Sequence, residues 1–441
     1  MNKRIGLIGD NSIEFVQNLL KIWKENDCAV IIDYRIPIKT AIKMLRKSKV
    51  SECIIDYRLL KNNDTEKVKF KPYIVKNNNQ YLIPKSVYDE FHFNNSNDEA
   101  VILFSSGTTS VSKGIVLTYA SINKNSELVA SYMDLDNSVF CIVKSLAHSS
   151  TLICELLVCL KSKTKLLLLK SNMNFGKNIQ IMYENKVNII CVNPSLVLIL
   201  KKYYKLMPEK YKYLRTIYIS GSFISNETIC SLRNELSPIK VYNVYGLTET
   251  GPRVAAQTSK YCTNNSVGVP LPGVDVKIMD EEKLCKTNEI GTVFVKTPCC
   301  FKQYITDKNN FSGEWINTKD LGFIGENGEL FIVGRTDDIL ISGGHNVNPI
   351  FVESIINNIK LIEECIVIGV DDEYLGEKLV CLYTATKHIN SLNLISLCRE
   401  KLAPYEIPNE WYRITRIPRN NNGKIIRNKA KELFENEILN K

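Results

Sequence analysis

Short apolar runs alternate with helical apolar spacing along the first half of the chain. Residues 5–9 are predicted as a strand, and Ile13 and Val16 then recur at the spacing of one helix face. A second strand is predicted at 29–32, and the alternation continues to residue 236. Such alternation is typical of a parallel sheet with crossover helices on both faces, the doubly wound α/β class.

The pattern changes in the last part of the chain, where short strands alternate with turn signals. These strands are predicted at 274–279, 291–296, 315–317 and 329–333. A polar junction at 334–338 then leads into a small α+β pattern. We therefore predict a large N-terminal domain over 1–336, with a β-rich subdomain at about 267–336, and a small C-terminal domain over 337–441.

A stretch rich in hydroxyl groups, FSSGTTSVSKG from Phe104 to Gly114, follows a buried-strand pattern. Gly107 permits close backbone approach, and the hydroxyls and Lys113 supply donors and positive charge for an anion. The spacing is not that of the Walker loop, because Lys113 is followed by glycine. By itself the stretch fits a polyphosphate-binding loop and a solvated Ser/Thr-rich loop equally well.

Three further polar positions are candidates for chemistry. Glu249 in VYGLTETG suits Mg²⁺, which in nucleotide sites takes one or two carboxylates. Asp320 in WINTKDLG is predicted at the end of a short strand, where a carboxylate can accept ribose hydroxyls, and Lys424 follows a glycine in IPRNNNGKIIR. An exposed loop glutamate, a turn aspartate and a solvated lysine are the ordinary alternatives.

The net charge of the chain indicates which classes of ligand it can bind. The chain of 441 residues has 57 Lys and Arg against 47 Asp and Glu, and the net charge of +10 suits a polyanion such as a nucleotide or coenzyme A. The basic residues are scattered and no nucleic-acid-binding signature is found, so we expect no nucleic-acid partner.

The positions of the cysteines and the lengths of the apolar runs indicate the cellular location of the protein. The 14 cysteines lie mostly inside apolar runs and lack metal-binding spacing, which predicts free thiols in a reducing cytoplasm. The first residues do not form a secretory signal, and no apolar run reaches the roughly 18 residues that span a membrane. We therefore expect a cytoplasmic protein without a membrane span.

Seven motifs occur in one order along the chain. They are FSSGTTSVSKG, SLAHSS, ISGSFIS, VYGLTETG, WINTKDLG, GRTDDILISGGHNVNP and IPRNNNGKIIR. Through these motifs the chain resembles, over nearly its whole length, the adenylate-forming superfamily of acyl- and aryl-CoA synthetases, nonribosomal peptide adenylation domains and luciferases. The motif pattern is most similar to that of the acyl- and aryl-CoA ligases. The resemblance implies a large doubly wound α/β N-terminal domain with a β-rich subdomain and a small mobile α+β C-terminal domain.

The resemblance implies an AMP-forming acid–thiol ligase that uses ATP and Mg²⁺. A small carboxylic acid would attack the α-phosphorus of ATP, release pyrophosphate and form an acyl-adenylate. The acyl group would then pass to a thiol, and coenzyme A is the main candidate for that thiol. The phosphopantetheine of an acyl carrier protein is the alternative acceptor. A degenerate, non-catalytic nucleotide- or acyl-binding homologue is the third hypothesis.

The resemblance also implies roles for individual residues. The nucleotide contacts would be Ser106, Gly107, Thr108, Thr109, Ser110 and Lys113 with the β- and γ-phosphates, Gly221, Ser222, Phe223 and Tyr245 with adenine, Asp320 and Arg335 with ribose, and Thr248 with the α-phosphate. Glu249 would bind Mg²⁺, and Lys424 would contact both the acid and the α-phosphate. The catalytic candidates are therefore Lys424, Thr248, Glu249 and Lys113.

Other motif positions concern the acid, the thiol and the domain movement. His148 occupies the gate-like position of acyl- and aryl-CoA synthetases, although a lone histidine also fits a structural role. The resemblance places Ser149 where amino-acid-activating domains carry an aspartate, which disfavours an α-amino acid. It further implies that Asp337 is the hinge and that Gly343 and Gly344 border a thiol tunnel.

Four positions depart from the family pattern. Ser110 and Ser112 stand where the family usually has glycine and proline, and Lys319 and Gln303 each replace a usual glycine. The chain also begins within the family's first helix–strand region, so we expect a large domain trimmed at its start.

Overall fold

A computed structural model describes residues 2–50, 52–60, 68–75, 81–104, 113–171, 174–306, 311, 313–387, 389–420 and 423–438. The predicted phosphate-loop residues Ser106, Gly107, Thr108, Thr109 and Ser110 lie outside the described residues. Their proposed contacts with phosphate therefore stay predictions.

Strands and helices alternate through most of the first 245 residues, as expected, although β4 and β6 were not predicted. The strands are β1 (Arg4–Gly9), β2 (Cys28–Asp33), β3 (Glu52–Asp56), β4 (Lys69–Tyr73), β5 (Glu99–Phe104), β6 (Gly114–Thr118), β7 (Val139–Ile142), β8 (Lys165–Leu168), β9 (Ile189–Val192), β10 (Thr216–Ile219), β11 (Lys240–Tyr245), β12 (Ala255–Ala256), β13 (Val269–Pro270), β14 (Asp275–Asp280), β15 (Lys283–Leu284), β16 (Gly291–Lys296), β17 (Gln303–Tyr304), β18 (Ile316–Ile324), β19 (Leu330–Arg335), β20 (Leu340–Ser342), β21 (His345–Val347), β22 (Glu364–Asp372), β23 (Gly376–Thr384) and β24 (Glu410–Arg413). The α-helices are α1 (Ile13–Lys24), α2 (Ile38–Lys47), α3 (Lys85–Asp89), α4 (Tyr119–Ala130), α5 (Ser149–Thr151), α6 (Val158–Ser162), α7 (Phe175–Glu184), α8 (Pro194–Leu206), α9 (Asn226–Glu235), α10 (Pro349–Ile356), α11 (Ser391–Cys398) and α12 (Arg427–Leu433). A π-helical stretch, Leu152–Leu157, joins α5 to α6.

The chain forms two compact units. The first contains Met1–Gly221, Cys230–Val276 and Phe294–Ile316, and the second contains Ser222–Ile229, Lys277–Val293 and Asn317–Lys441. The predicted domain boundary between residues 336 and 337 stays a prediction.

Two seven-stranded sheets carry the first unit. One has the order β17-β6-β5-β2-β1-β3-β4 and the other β13-β12-β11-β10-β9-β7-β8. Strands β1 to β4 pair in parallel, as do β7 to β11. The doubly wound α/β class is therefore confirmed, whereas the division of the strands between two sheets was not predicted.

The first helix shows how the local sequence forms these elements. The Ser12 hydroxyl accepts a hydrogen bond from the Phe15 amide at 3.1 Å and so caps α1. Val16 of the predicted face is buried, as are Phe15 and Leu19, whereas Ile13 is only partly buried. Capping and periodicity together explain why the prediction of this helix is confirmed.

Strand β6 was missed by the sequence analysis. It pairs antiparallel with β5, so that Phe104 lies opposite Gly114. The segment between them therefore begins and ends on neighbouring strands. The apolar residues that signal β6, at 115–117, directly follow the predicted phosphate-binding loop, which ends at Gly114, and no strand was predicted there.

The second unit contains 277–293 and 317–336 of the predicted β-rich part, together with the C-terminal α+β part. A five-stranded sheet has the order β15-β14-β16-β18-β19, and a second sheet has the order β21-β20-β23-β22 with β24 paired to β23. The α+β part has its own core, which includes Val352, Ile356 and Leu394. The placement of Asp320 at the end of a short strand was wrong, because β18 is longer than predicted and Asp320 lies within it, opposite Arg335 on β19.

Lys319, which replaces a usual glycine of the family, adopts the left-handed backbone conformation with φ of 60°. Its ammonium lies 3.1 Å and 3.2 Å from the two carboxylate oxygens of Asp337. This geometry explains the family preference for glycine, since a side chain at positive φ costs roughly 1 kcal/mol or more.

We expect Lys319→Gly to be more stable than Lys319→Ala by about 1 kcal/mol. Both variants remove the exposed ion pair with Asp337, so the comparison isolates the backbone term. Urea unfolding of the two variants gives the difference in free energy. Equal stabilities would contradict the assignment of strain to this position.

In the part of the chain that the structure describes, no helix combines the length and the apolar character needed to cross a membrane.

Candidate active site

Glu249 lies in a short turn that the local sequence holds in place. The 3₁₀ turn Thr248–Thr250 follows β11 and ends at Gly251, whose φ is 93°. A Cβ at Gly251 would collide with the backbone of Cys299, so glycine is required there. The Glu249 carbonyl accepts a hydrogen bond from the Phe301 amide at 2.9 Å, which anchors the turn from outside.

Lys113 and Glu249 meet at one tyrosine of the first unit. The Tyr304 hydroxyl donates to Glu249 Oε1 at 3.1 Å, and Lys113 Nζ lies 5.2 Å from the centre of the Tyr304 ring. Tyr304 is held opposite Ile115 by the pairing of β17 with β6. The cation predicted for the phosphates and the carboxylate predicted for Mg²⁺ are thus brought together, through a residue to which the sequence analysis assigned no role.

The surroundings of Glu249 fit a magnesium ion that is shared with a nucleotide. No group of three or more His, Cys, Asp or Glu side chains able to hold a metal occurs among the residues described. A full protein cage is therefore not found there, whereas a single carboxylate is what Mg²⁺ uses when phosphates and waters complete its shell.

Ser149 contacts Thr248. The two hydroxyl oxygens lie 2.8 Å apart, although the residues are 99 positions apart in sequence. Ser149 begins α5 and Thr248 begins the Glu249 turn. The predicted acid-pocket residue and the predicted α-phosphate residue are therefore adjacent, as acid attack on the α-phosphorus requires.

His148 is flanked by an ion pair that the sequence analysis missed. Arg35 Nε and Asp33 Oδ1 are 2.8 Å apart, and His148 Nε2 lies 3.5 Å from Arg35 Nη2 and 3.8 Å from Asp33 Oδ2. Burial by itself would raise the pKa of Asp33, but the hydrogen bonds and charge of Arg35 lower it below the usual value. Asp33 ends β2, one residue beyond the strand predicted at 29–32, and a carboxylate at that edge was the available signal.

The segment before His148 is tied to the first sheet by one asparagine. The Asn11 side-chain amide donates to the carbonyls of Lys144 and Leu169, both at 2.8 Å, and its oxygen accepts from the Leu146 amide at 3.0 Å. Asn11 is 3% exposed, so these bonds exchange little with water. They hold residues 144–148 at the carboxyl edges of the two sheets.

The adenine candidates are divided between the units. Gly221 follows β10 with φ of 99°, and Tyr245 ends the neighbouring strand β11. These two residues are therefore at adjacent carboxyl ends, where ligands bind in open α/β sheets. Ser222 and Phe223 belong to the second unit, and their contact with adenine stays a prediction.

Three predicted residues come together in the second unit. Arg335 Nη1 donates to Asp320 Oδ1 at 2.9 Å, and Asp320 is 6% exposed. Burial and the Arg335 cation lower the pKa of Lys424 from its usual value, against the opposing charges of Asp320 and Asp338. The Lys424 amide donates a hydrogen bond to Asn420 Oδ1 at 3.0 Å, which fixes the backbone at Lys424.

The predicted hinge and tunnel residues also lie in the second unit. Asp337 lies in the 3₁₀ turn Thr336–Asp338, and Arg335 Nη2 is 3.9 Å from its carboxylate. Gly343 and Gly344 form the turn between β20 and β21 with φ of 57° and 78°. Both glycines are exposed, which is compatible with a surface that borders a thiol.

Comparison with known proteins decides the family. Residues 1–305 match the family model of AMP-binding enzymes, and residues 352–424 match the model of the AMP-binding enzyme C-terminal domain. The chain belongs to the AMP-binding enzymes.

Similar proteins include 2-succinylbenzoate–CoA ligases. The ligase of Bacillus subtilis strain 168 is 26% identical over 349 residues, which cover 77% of this chain and 70% of the relative. That of Bacillus cytotoxicus is 28% identical over 344 residues, covering 76% and 70%.

Solved structures show the same fold. The o-succinylbenzoate CoA synthetase of Bacillus subtilis, in complex with its acyl-adenylate intermediate, matches with a TM-score of 0.82 at 22% identity, covering 97% of this chain and 88% of that chain. ATP-bound MatB from Rhodopseudomonas palustris matches with a TM-score of 0.86 at 21% identity, covering 99% and 89%.

These findings confirm three predictions. The chain has the adenylate-forming fold, it is a member of the predicted superfamily, and its class is that of AMP-forming acid–thiol ligases. The roles of individual residues stay predictions, which the geometry above makes specific.

Proposed function

We propose that this AMP-binding enzyme joins an aryl carboxylic acid to coenzyme A, with ATP and Mg²⁺ as the activating pair. The observation that carries the proposal is the contact chain Lys113–Tyr304–Glu249 in the same unit as the Ser149–Thr248 pair. The similarity to 2-succinylbenzoate–CoA ligases supports an aryl acid of that kind.

Residues of the first unit can offset the negative charge that the carboxylate and the triphosphate bring together in the first half-reaction. A carboxylate that approaches a triphosphate is repelled by it, so cations must offset the negative charge. Lys113 supplies one such cation, and Glu249 holds the place for Mg²⁺, which when bound neutralises phosphate charge. Thr248 and Ser149 offer hydroxyl donors where the acid and the α-phosphate would meet.

The residues of the second unit can bind the ribose and the transferring group. Asp320, held by Arg335, presents a carboxylate to the ribose hydroxyls. Lys424 interacts electrostatically with both Asp320 and Arg335. Its ammonium would contact the carboxylate of the acid and the α-phosphate. We propose that movement at Asp337 withdraws Lys424 after adenylation and gives the thiol its access through Gly343 and Gly344.

The acceptor and the location are part of the proposal. Coenzyme A is favoured because the similar proteins are CoA ligases, and loading of an acyl carrier protein is the alternative that the test must separate. All 14 cysteines are free thiols, which supports a reducing cytoplasm.

Acid-dependent pyrophosphate exchange tests the first half-reaction. We expect exchange with aryl acids such as 2-succinylbenzoate, little with amino acids, and none without Mg²⁺. Thioester formation is then measured with coenzyme A and with a purified holo-acyl carrier protein as acceptors. Exchange with no acid in a panel of fatty, aryl and amino acids would overturn the proposal, and transfer only to the carrier protein would replace coenzyme A as acceptor.

A further inference from the structure

The sequence Asp-Tyr-Arg occurs twice in the first sheet, at residues 33–35 and 56–58. The first copy begins with the last residue of β2, and the second begins with the last residue of β3. Strand β1 lies between these two strands and is parallel to both. Both copies therefore lie at the carboxyl edge of the sheet, where ligands bind in open α/β folds.

Both copies form the same local ion pair. Asp33 Oδ1 accepts hydrogen bonds from the Arg35 amide at 3.0 Å and from Arg35 Nε at 2.8 Å. Asp56 Oδ1 accepts the corresponding bonds from the Arg58 amide and from Arg58 Nε, both at 3.0 Å. A carboxylate bonded to both the amide and the guanidinium holds the arginine in one orientation. The geometry of each pair thus follows from its own three residues.

The first pair also contacts a histidine that follows a strand of the other seven-stranded sheet. His148 comes after β7, and its Nε2 lies 3.5 Å from Arg35 Nη2 and 3.8 Å from Asp33 Oδ2. A guanidinium has no acceptor, so Arg35 donates in this contact and His148 Nε2 accepts. The contact therefore fixes which ring nitrogen of His148 faces the end of β2.

The backbone of His148 is held separately from its ring. The His148 amide donates to the Ser145 carbonyl at 3.2 Å, and the His148 carbonyl accepts from the Leu152 amide at 2.8 Å. The side chain is 26% exposed, which leaves room for more than one rotamer. The contact with Asp33 and Arg35 opposes rotation of the ring away from them.

The ring that is held in this way belongs to the residue next to the predicted acid site. His148 directly precedes Ser149, whose Oγ lies 2.8 Å from Thr248 Oγ1. Neighbouring residues are about 3.8 Å apart along the backbone, so the orientation of the His148 ring is set close to this contact. A misplacement of about 1 Å near reacting groups can cost as much as 100-fold in rate.

We propose that Asp33 and Arg35 are positioning residues for His148, and that through it they control the use of the acid but not the use of ATP. The inference rests on the proposed function, because it concerns the acid that the same site activates. Asp33 orients Arg35, and Arg35 orients the His148 ring. The copy at 56–58 is the same kind of ion pair at the end of a strand two positions away in the sheet.

Substitution of the two arginines tests this assignment. Pyrophosphate exchange is measured with the acid of the panel that gives the highest rate. Arg35→Met should raise the KM for the acid by about 10-fold and keep the KM for ATP within about threefold. Arg58→Met is the matched control and should keep both KM values within about threefold. Equal effects of the two substitutions, or an equal rise of both KM values in Arg35→Met, would overturn the proposal.

A double-mutant cycle shows whether Arg35 acts through His148. In a His148→Ala background the ring is missing, so Arg35→Met should change the KM for the acid by less than about twofold further. A further rise of about 10-fold in the double variant would assign Arg35 a structural role that is independent of His148 and would refute the proposal.

Asp33→Asn is a second test, which holds even if Arg35→Met folds poorly. The amide keeps the shape of the side chain but loses the charge that holds Arg35, so the KM for the acid should rise by about fivefold. Asp56→Asn should change it by less than about twofold. An unchanged KM in Asp33→Asn would count against the proposal. Exchange with no acid at all in the wild-type enzyme would instead refute the proposed function, so the two failures are distinguishable.

Discussion

Lys424→Ala should lower acid-dependent pyrophosphate exchange by about 100- to 1,000-fold, the range found when one preorganised donor to a developing charge is removed. The Lys424 ammonium is the only group assigned to both the acid and the α-phosphate, and it lies within the charge environment of Asp320 and Arg335. Thioester formation from supplied acyl-adenylate should change by less than about threefold, because the proposed movement at Asp337 withdraws Lys424 in that half-reaction.

Lys378→Ala is the control for Lys424→Ala. Lys378 also lies in the second unit, where its Nζ is 2.6 Å from Glu410, and it has no assigned contact with substrate. Both half-reactions should be close to wild type in this variant. If Lys424→Ala slowed both half-reactions to the same degree, the proposal that a movement at Asp337 withdraws Lys424 between them would be wrong.

The decrease of the pyrophosphate exchange rate at alkaline pH is a further test of the role of Lys424. Burial and the Arg335 cation lower its pKa, so the charged form is lost at a lower pH than for an ordinary lysine. Exchange should therefore fall as the pH rises toward that lowered pKa. In Lys424→Arg the guanidinium remains charged throughout, and whatever activity is left should not show this decrease.

Glu249→Gln should lower pyrophosphate exchange by roughly 100-fold at limiting Mg²⁺ and raise the Mg²⁺ concentration for half-maximal rate. The amide keeps the shape of the side chain and can still accept the Tyr304 hydroxyl, so the loss reports the charge. The measurement is exchange rate against Mg²⁺ at fixed ATP. An unchanged Mg²⁺ dependence would remove Glu249 from the metal site.

Tyr304→Phe distinguishes the metal ligand from its support. It deletes the hydroxyl that donates to Glu249 and retains the ring beside Lys113. Outer-shell partners of metal ligands typically contribute about 10-fold or more to affinity, so this variant should need more Mg²⁺ but less than Glu249→Gln requires. A larger effect for Tyr304→Phe than for Glu249→Gln would reverse the assigned roles.

The candidate site was predictable to the extent that its residues lie in local motifs. Glu249 and Gly251 belong to one turn. The turn ends at residue 251 with a positive φ, which is why that residue is a glycine. Asp320 was found through its motif but was placed wrongly in the strand, because the length of β18 depends on its pairing with β19. The residues around His148 were not found, since Asp33 and Arg35 are more than a hundred residues away in sequence.

The sequence by itself determined the alternation of strands and helices, the family and the identity of most site candidates, because apolar periodicity and motif spacing are local properties of the chain. The tertiary structure alone decided that β5 and β6 are antiparallel neighbours, that Tyr304 links Lys113 to Glu249, and that Arg35 reaches His148. Strand order and register bring such distant residues together, and neither is encoded in the period of a single strand.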